Sequence, residues 1–350
     1  MKNINIAHLS IGLNSRPVVI AEMSGNHNQS LERALEIVEI AAKTGAQCLK
    51  IQTYTPDTMT LDLDEREFHI GDPGNLWEGK SLYNLYKEAY TPWEWHKPIF
   101  DKAKSLGMVP FSTPFDDTAV DFLESLNVPC YKIASAEIID LPLIKKVAST
   151  GKPMIMSTGM ASLAEIAEAV DTARKNGCSE IILLKCTSTY PAVPTDSDII
   201  TIPNLRDTFD CEVGLSDHTM GLGVSIAAVA LGGTVIEKHF TLRRSDGGVD
   251  SAFSLEPSEF ESLVIETERA WQSLGRVKYG PTKSEEKSLR FRRSLYIVKD
   301  VKEGEVLNLE NVRAIRPGLG LPPKNLDLII GKRVKMDLKM GTPLSWDHIL

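Results

Sequence analysis

Eight short runs of β-branched and other apolar residues recur between Val18 and Thr241, and amphipathic stretches of helical length separate them. Each run has the length and composition of a buried strand in a parallel sheet. The runs are Val18–Ser24, Cys48–Tyr54, Met108–Thr113, Cys130–Ala136, Pro153–Thr158, Ile181–Ser188, Glu212–His218 and Val235–Thr241. Because strand and helix alternate eight times, we predict a closed TIM (β/α)8 barrel.

Helix boundaries support this alternation. Capping-box patterns predict helix starts at Thr91, with Pro92 as the first helical residue, and at Ser162 and Ser258. Glycines predicted to end helices are Gly45, Gly107 and Gly177. The alternative is a doubly wound open sheet, which usually carries a GxGxxG loop after its first strand. The segment MSGNHNQS stands there instead, so the barrel is favoured.

Two segments depart from the regular alternation. The connection from Thr55 to Tyr90 is too long for an ordinary loop, which indicates a lid or binding loop with a short helix near 81–89. After Leu274 the chain becomes polar. We therefore predict a barrel over 1–275, a linker over 276–293 and a small C-terminal domain over 294–350. A domain of fewer than about 70 residues has a marginal core, so we expect it to pack on the barrel or on a second subunit.

Composition restricts the partners and the compartment. The net charge of −8 disfavours nucleic-acid and membrane-surface partners. Five cysteines without a CxxC pair predict reduced, buried thiols in the cytoplasm. The N-terminus is too polar for a signal peptide, and no apolar run reaches the ~18 residues of a membrane span.

Reactive residues stand at or near the ends of the predicted strands. Strand ends of a barrel share one rim, where active sites lie. These residues are Glu22, Lys50, Gln52, Thr113, Lys132, Ser135, Glu137, Ser157, Tyr190, His218 and His239. A single lysine at a strand end is more often a surface charge. Lys50 and Lys132 on one rim, with Lys185 and Lys238 nearby, would repel each other, so with the adjacent hydroxyls they predict a bound phosphate or carboxylate.

The histidines and carboxylates suggest a metal and an acid or base. His218 and His239 end consecutive strands, so we expect neighbouring imidazoles. With Glu22, Asp250 and Glu237 as nearby carboxylates, they suit Mn²⁺ or another octahedral divalent ion rather than a structural zinc. Burial would raise the pKa of Glu22 and of Glu137, as a general acid or base requires, although each could also pair with a lysine. Together these groups suit condensation of a phosphorylated enol with a carbonyl.

Seven motifs then resemble one family. IAEMSGNHNQS, CLKIQTYTPDTM, FSTPFD, YKIASAEI, MSTGM, LSDHT and EKHFTL, in this order, are similar to the bacterial sialic acid synthases. The C-terminal domain resembles their antifreeze-like (SAF, β-clip) domain, with Arg316-Pro317-Gly318 at its Arg-Pro-Gly turn. The blocks EMSGNHNQS, TPWEWH and DSAFSLEP resemble the branch that makes pseudaminic acid.

The resemblance implies an activity and a set of roles. Family members condense phosphoenolpyruvate with an open-chain amino sugar, use a divalent metal and release phosphate. His218 and His239 would bind the metal, for which Mn²⁺ is the first choice and Mg²⁺ or Co²⁺ the alternatives. Phosphoenolpyruvate would contact Lys50, Gln52, Thr113, Lys132, Ser135, Ser157 and Ser216. The sugar or the metal's water shell would contact Glu22, Phe115, Tyr190, Asp250 and Arg316. Arg316 would come from the partner in a domain-swapped homodimer, and Glu137 or the metal would orient water.

Other functions remain open at this point. Within the family, an N-acetylneuraminate or legionaminate synthase would use the same chemistry. A Schiff-base aldolase would use Lys50, Lys132 or Lys185 as its nucleophile. A non-catalytic barrel carrying a sugar-binding tail is disfavoured, because a scaffold has no use for clustered cations and histidines at its rim.

Overall fold

The computed structural model describes residues 3–71, 73 and 75–350, so Asp72 and Gly74 of the long connection lie outside it. The chain divides into two compact units, Met1–Gly275 and Arg276–Leu350. The predicted barrel is confirmed in the first unit, because eight parallel strands pair in chain order and the last pairs with the first. A hairpin of β1 (Ile4–Ile6) and β2 (Leu9–Ile11) precedes them. The barrel strands are β3 (Val18–Glu22), β4 (Cys48–Thr53), β5 (Val109–Pro114), β6 (Tyr131–Ile133), β7 (Met154–Ser157), β8 (Ile181–Cys186), β9 (Glu212–Asp217) and β10 (Val235–His239).

The helices of the barrel follow the predicted alternation. They are α1 (Leu31–Lys43), α2 (Pro56–Met59), α3 (Leu82–Ala89), α4 (Trp93–Ser105), α5 (Asp117–Ser125), α6 (Leu141–Ala148), α7 (Leu163–Lys175), α8 (Thr201–Phe209), α9 (Gly223–Ala230) and α10 (Pro257–Leu274). The predicted short helix of the long connection is α3, capped by the Ser81 hydroxyl. Gly45, Gly107 and Gly177 all have positive φ, as glycines that follow a helix often do.

One of the three predicted capping boxes is confirmed and two are wrong. Ser162 caps α7, with Glu165 returning the hydrogen bond. The Thr91 hydroxyl instead lies 3.3 Å from His27 Nε2, and α4 begins at Trp93 after an N-cap proline. At α10 the first helical residue is Pro257, whose missing N–H costs nothing at that position. Glu256 therefore becomes the cap, and Ser258 lies inside the first turn.

The inside of the barrel is apolar at one end and polar at the other. Inward-facing residues of the strands, such as Ile20, Val109 and Ile182, pack with Ile4 and Ile11 of the β1–β2 hairpin. The outward-facing residues form a separate core with the helices. Since inward and outward positions alternate along a strand, the strand residues predicted to bind substrate or metal fall on the inward face, toward the carboxyl ends, whereas Lys185 and Lys238 do not.

The second unit contains an antiparallel pair, β11 (Ser294–Ile297) and β12 (Val312–Ile315), and the short helix α11 (Leu326–Ile329). It has a core of its own, which includes Leu295, Ile297 and Leu344. Of the helices in the described part of the chain, none combines the length and apolarity needed to cross a membrane. All five cysteines are free and buried, as the sequence predicts.

Candidate active site

A cavity of about 560 Å³ lies in the first unit at the carboxyl ends of the barrel strands. Predicted site residues that line it are Gln52, Phe115, Ser135, Glu137, Tyr190, His239 and Asp250. The other predicted residues of the barrel are buried at or near the ends of the same strands, namely Glu22, Lys50, Thr113, Lys132, Ser157, Ser216 and His218. The chain therefore brings together residues that are scattered over more than two hundred positions of sequence.

Lys50 lies among carboxylates. Its Nζ is 2.7 Å from Glu22 Oε2, 3.5 Å from Glu237 Oε1 and 3.3 Å from Thr113 Oγ1. Burial, opposed by Lys50, raises the pKa of Glu22 to about 7. Glu22 therefore fits both predictions, because it pairs with a lysine and its pKa is raised as a general acid or base requires. The expectation of two uncompensated lysines was wrong for Lys50, whose charge is already matched.

Lys132 has a different environment. Its Nζ donates to Ser157 Oγ at 2.6 Å and to the Ile133 carbonyl at 2.8 Å. Among the described residues no carboxylate oxygen lies within the 4.0 Å of an ion pair with it. Burial lowers the pKa of this ammonium group. A buried cation with hydroxyl neighbours is stabilised by a bound anion, so the surroundings of Lys132 suit an anionic ligand.

Lys185 and Lys238 do not belong to this cluster, contrary to the prediction. They alternate with inward residues and so face the helices. Lys185 Nζ donates to the Cys186 carbonyl. Lys238 Nζ lies 2.8 Å from Asp217 Oδ2 and donates to the Thr219 carbonyl at 2.6 Å. We predicted Lys238 near the rim because it precedes His239 in sequence. Neighbouring residues of a strand point to opposite faces, so its side chain points away from the cavity.

The two imidazoles are neighbours, as expected from consecutive strands. The ring centroids of His218 and His239 are 5.3 Å apart. His218 Nδ1 lies 2.9 Å from the Thr187 carbonyl, and a proton donated to that oxygen would leave Nε2 with a free lone pair. His239 Nδ1 is buried without a hydrogen-bond partner among the described residues, and it lies 3.8 Å from Asp250 Oδ2.

This pair fits a metal site with open positions. A divalent ion would use the unpartnered nitrogen of His239, which lines the cavity, and the Nε2 that His218 would leave free beside it. The described residues contain no group of three or more His, Cys, Asp or Glu arranged to hold a metal ion. The imidazoles of His218 and His239 are thus the residues that would hold a divalent ion here.

Two further carboxylates reach the cavity. Glu137 lies in the 3₁₀ turn Ala136–Ile139 after β6, its Oε2 is buried without a hydrogen-bond partner among the described residues, and burial raises its pKa. Asp250 accepts a hydrogen bond from the Ser24 hydroxyl, and burial raises its pKa as well. An unsatisfied carboxylate with a raised pKa suits proton transfer.

Some residues in or beside the cavity escaped sequence reasoning. Glu237 was considered only as a metal neighbour, yet it contacts Lys50 and accepts a 3.1 Å hydrogen bond from Ser216 Oγ. Its inward position two residues before His239 was the available signal. Trp77, from the long connection, also lines the cavity, and no pattern marked it. Arg316 lies in the second unit, and its place beside the sugar stays a prediction.

Comparison with known proteins gives consistent matches. Residues 37–279 match the NeuB family, and residues 292–350 match the SAF domain. A pseudaminic acid synthase of Helicobacter pylori is 44% identical over 335 residues, which cover 95% of this chain and 98% of that protein. An N,N'-diacetyllegionaminic acid synthase of Legionella pneumophila is 37% identical over 336 residues, covering 95% and 94%. The solved N-acetylneuraminic acid synthetase of Leptospira borgpetersenii, in complex with citrate, has a TM-score of 0.74 at 32% identity, covering 83% of this chain and 96% of that one.

Proposed function

Because the chain belongs to the NeuB family of phosphoenolpyruvate-dependent nonulosonate synthases, we propose that it acts as a pseudaminic acid synthase. It would condense phosphoenolpyruvate with 2,4-diacetamido-2,4,6-trideoxy-L-altrose and release phosphate. The observation that carries this chemistry is the buried Lys132–Ser157 pair in the same barrel end as the paired imidazoles. The higher identity to the Helicobacter pylori protein than to the legionaminic acid synthase supports this sugar.

Phosphoenolpyruvate would be held by the inward residues of the strands. Lys132 would contact the phosphate, because it is the buried ammonium group without an ion-pair partner among the described residues. Hydroxyls that would complete the anion site are Thr113, Ser135, Ser157 and Ser216. Lys50, already paired with Glu22 and Glu237, would fix the geometry of the site and contribute a weaker charge. Gln52 lines the cavity and would contact the carboxylate of phosphoenolpyruvate.

NeuB-family synthases are metal-dependent in general, and the paired imidazoles of His218 and His239 fit that requirement. We propose Mn²⁺, with Mg²⁺ or Co²⁺ as alternatives of similar geometry. When bound there, a divalent ion would polarise the carbonyl oxygen of the sugar aldehyde. Asp250, 3.8 Å from His239 Nδ1, would hold the water shell or a sugar hydroxyl.

The reaction would proceed in three steps. C3 of phosphoenolpyruvate bonds to the aldehyde carbon, whose oxygen takes up a proton, and C2 becomes an oxocarbenium-like centre. Water adds to C2 and gives its proton to Glu137, whose unsatisfied, buried carboxylate can accept it. The C–O bond to phosphate then breaks while the new C2 hydroxyl becomes the ketone, and its proton leaves with the phosphate, which gives the 2-keto acid and inorganic phosphate. Lys132 stabilises the charge that develops on the leaving phosphate.

The sugar would extend from the imidazoles toward Phe115 and Tyr190, which line the cavity. Arg316 would be supplied by the partner in a domain-swapped homodimer, as the resemblance implies. A mass measurement at micromolar concentration tests this assembly, and a clean monomer would contradict it. We also propose that the reaction takes place in the cytoplasm, in keeping with five free, buried cysteines.

The test is a comparison of three sugars. Purified protein with Mn²⁺ and phosphoenolpyruvate is given the altrose derivative, the legionaminate precursor or N-acetylmannosamine, and phosphate release is measured. We expect the altrose derivative to have the highest kcat/KM by a wide margin. Faster turnover of another sugar would assign the chain to that synthase instead. Borohydride with pyruvate serves as the chemical control, because trapping of a lysine adduct would indicate a Schiff-base aldolase.

A further inference from the structure

One side of the cavity is apolar, and no barrel strand contributes to it. We call this the apolar wall, defined by Ile70, Trp77, Leu85, Ala89 and Val249, all of which line the cavity. These residues pack as one cluster, in which the three last-named are buried and the other two partly buried. They come from the long connection after β4 and from the loop after β10. The apolar wall is thus built by segments beyond the strand ends.

The apolar wall offers no free polar side-chain group. The single polar group among its side chains is Trp77 Nε1, which donates to the Val249 carbonyl at 2.9 Å. That bond ties the two loops together and leaves the indole face available. The Trp77 ring centroid lies 5.8 Å from that of Tyr190, so the aromatic surface continues toward the centre of the cavity. Other residues of the same connection that line the cavity are polar, namely Glu67, His69 and Asn75, but they are not members of this cluster.

The position of the apolar wall relative to the imidazoles determines which part of a sugar reaches it. Val249 immediately precedes Asp250, whose carboxylate lies 3.8 Å from His239. An aldehyde carbon placed at the imidazoles directs the remainder of an open-chain sugar away from the strand ends. In that placement the carbon farthest from the aldehyde would point toward the loops that form the apolar wall.

From this arrangement we propose that the apolar wall is a specificity subsite for a deoxy terminus, that is, for a methyl group at C6 of the sugar. The inference rests on the proposed function and deepens it. A methyl group gains from leaving water against apolar side chains, whereas a hydroxyl there loses its hydrogen bonds to water. An apolar pocket discriminates such pairs by about 10- to 100-fold in kcat/KM.

The test uses two sugars that differ by one oxygen atom, 2,4-diacetamido-2,4,6-trideoxy-L-altrose and its C6-hydroxylated counterpart. Phosphate release from phosphoenolpyruvate gives kcat/KM for each. We expect the trideoxy sugar to be preferred by about tenfold or more. Equal values for the two sugars would overturn the inference alone. If the trideoxy sugar released no phosphate at all, the proposed function itself would fail.

Variants locate the preference in the apolar wall. Val249→Thr keeps the side-chain shape and adds a hydroxyl, so the ratio of the two kcat/KM values should fall by about fivefold. Ile70→Thr also places a hydroxyl in the apolar wall, with a smaller side chain, and is the second variant if the first folds poorly. Val277→Thr, 91% exposed, is the matched control and should leave the ratio unchanged. If Val249→Thr and Ile70→Thr lowered kcat/KM equally for both sugars, the apolar wall would bind sugars without selecting between them.

Discussion

Lys238→Met is the substitution whose cost can be worked out most directly from the structure. Lys238 and Asp217 form an ion pair of 2.8 Å between β10 and β9, with both side chains 1% exposed. Each stands one residue before a proposed metal ligand, His239 or His218. The pair therefore fixes the two strands at the level where their imidazoles meet.

Removal of one partner from a buried ion pair costs about 3–5 kcal/mol, because the other charge stays buried without compensation. Asp217 would keep hydrogen bonds from Thr219 and from the Ser225 hydroxyl, which offset part of that cost. Methionine retains most of the aliphatic stem of lysine. We therefore expect Lys238→Met to lower the free energy of unfolding of the barrel by about 3 kcal/mol.

The assay is urea unfolding followed by tryptophan fluorescence, since four of the five tryptophans lie in the first unit. Lys175→Met is the control, because the Lys175–Asp171 pair is exposed at 71% and 59% and should contribute less than about 0.5 kcal/mol. Adding Asp217→Asn to Lys238→Met removes the stranded charge and should recover part of the loss. The reasoning is refuted if Lys238→Met costs no more than Lys175→Met, or if the double variant is less stable than Lys238→Met.

Further predictions concern the chemistry and the pH dependence. Glu137→Gln should lower kcat by about 100-fold or more while phosphoenolpyruvate affinity stays nearly intact, and equal losses in both would indicate a binding role. Lys132→Met should weaken phosphoenolpyruvate binding by about tenfold or more in calorimetry, and an unchanged dissociation constant would remove Lys132 from the phosphate site. Exhaustive chelation should abolish phosphate release and added Mn²⁺ should restore it, whereas full activity of metal-free protein would contradict the metal proposal. Burial lowers the pKa of His96 to about 4. As the pH falls below 6.5, His96 is therefore protonated in the unfolded chain before it is protonated in the folded one. The free energy of unfolding falls by up to about 3 kcal/mol by pH 4. Urea midpoints should fall less steeply with decreasing pH in His96→Gln, and identical slopes would refute that cause.

The strands could be predicted to within one or two residues at most of their ends, because β-branched runs between helical patterns have few other solutions. Alternation within each strand then placed Glu22, Lys50 and Lys132 on the inward face. The same rule, applied to Lys238, would have excluded it from the rim.

Contacts between side chains could not be read from spacing. The sequence gives no sign that Glu22 and Glu237 converge on Lys50, because the three residues meet only when β10 closes against β3. It likewise does not show that Trp77, from a connection of more than thirty residues, donates to the Val249 carbonyl. The prediction of a helix cap failed at Thr91, because the Thr91 hydroxyl contacts His27 instead of the helix backbone.

We expect one end of the barrel to hold both a metal and the phosphate of phosphoenolpyruvate. Crystals grown with Mn²⁺ and phosphoenolpyruvate test it directly through anomalous diffraction at the manganese edge. We expect one strong peak within bonding distance of a ring nitrogen of His218 and one of His239, with the phosphate in hydrogen-bond contact with Lys132 Nζ. A peak bound to other residues, or a phosphate away from Lys132, would contradict the account.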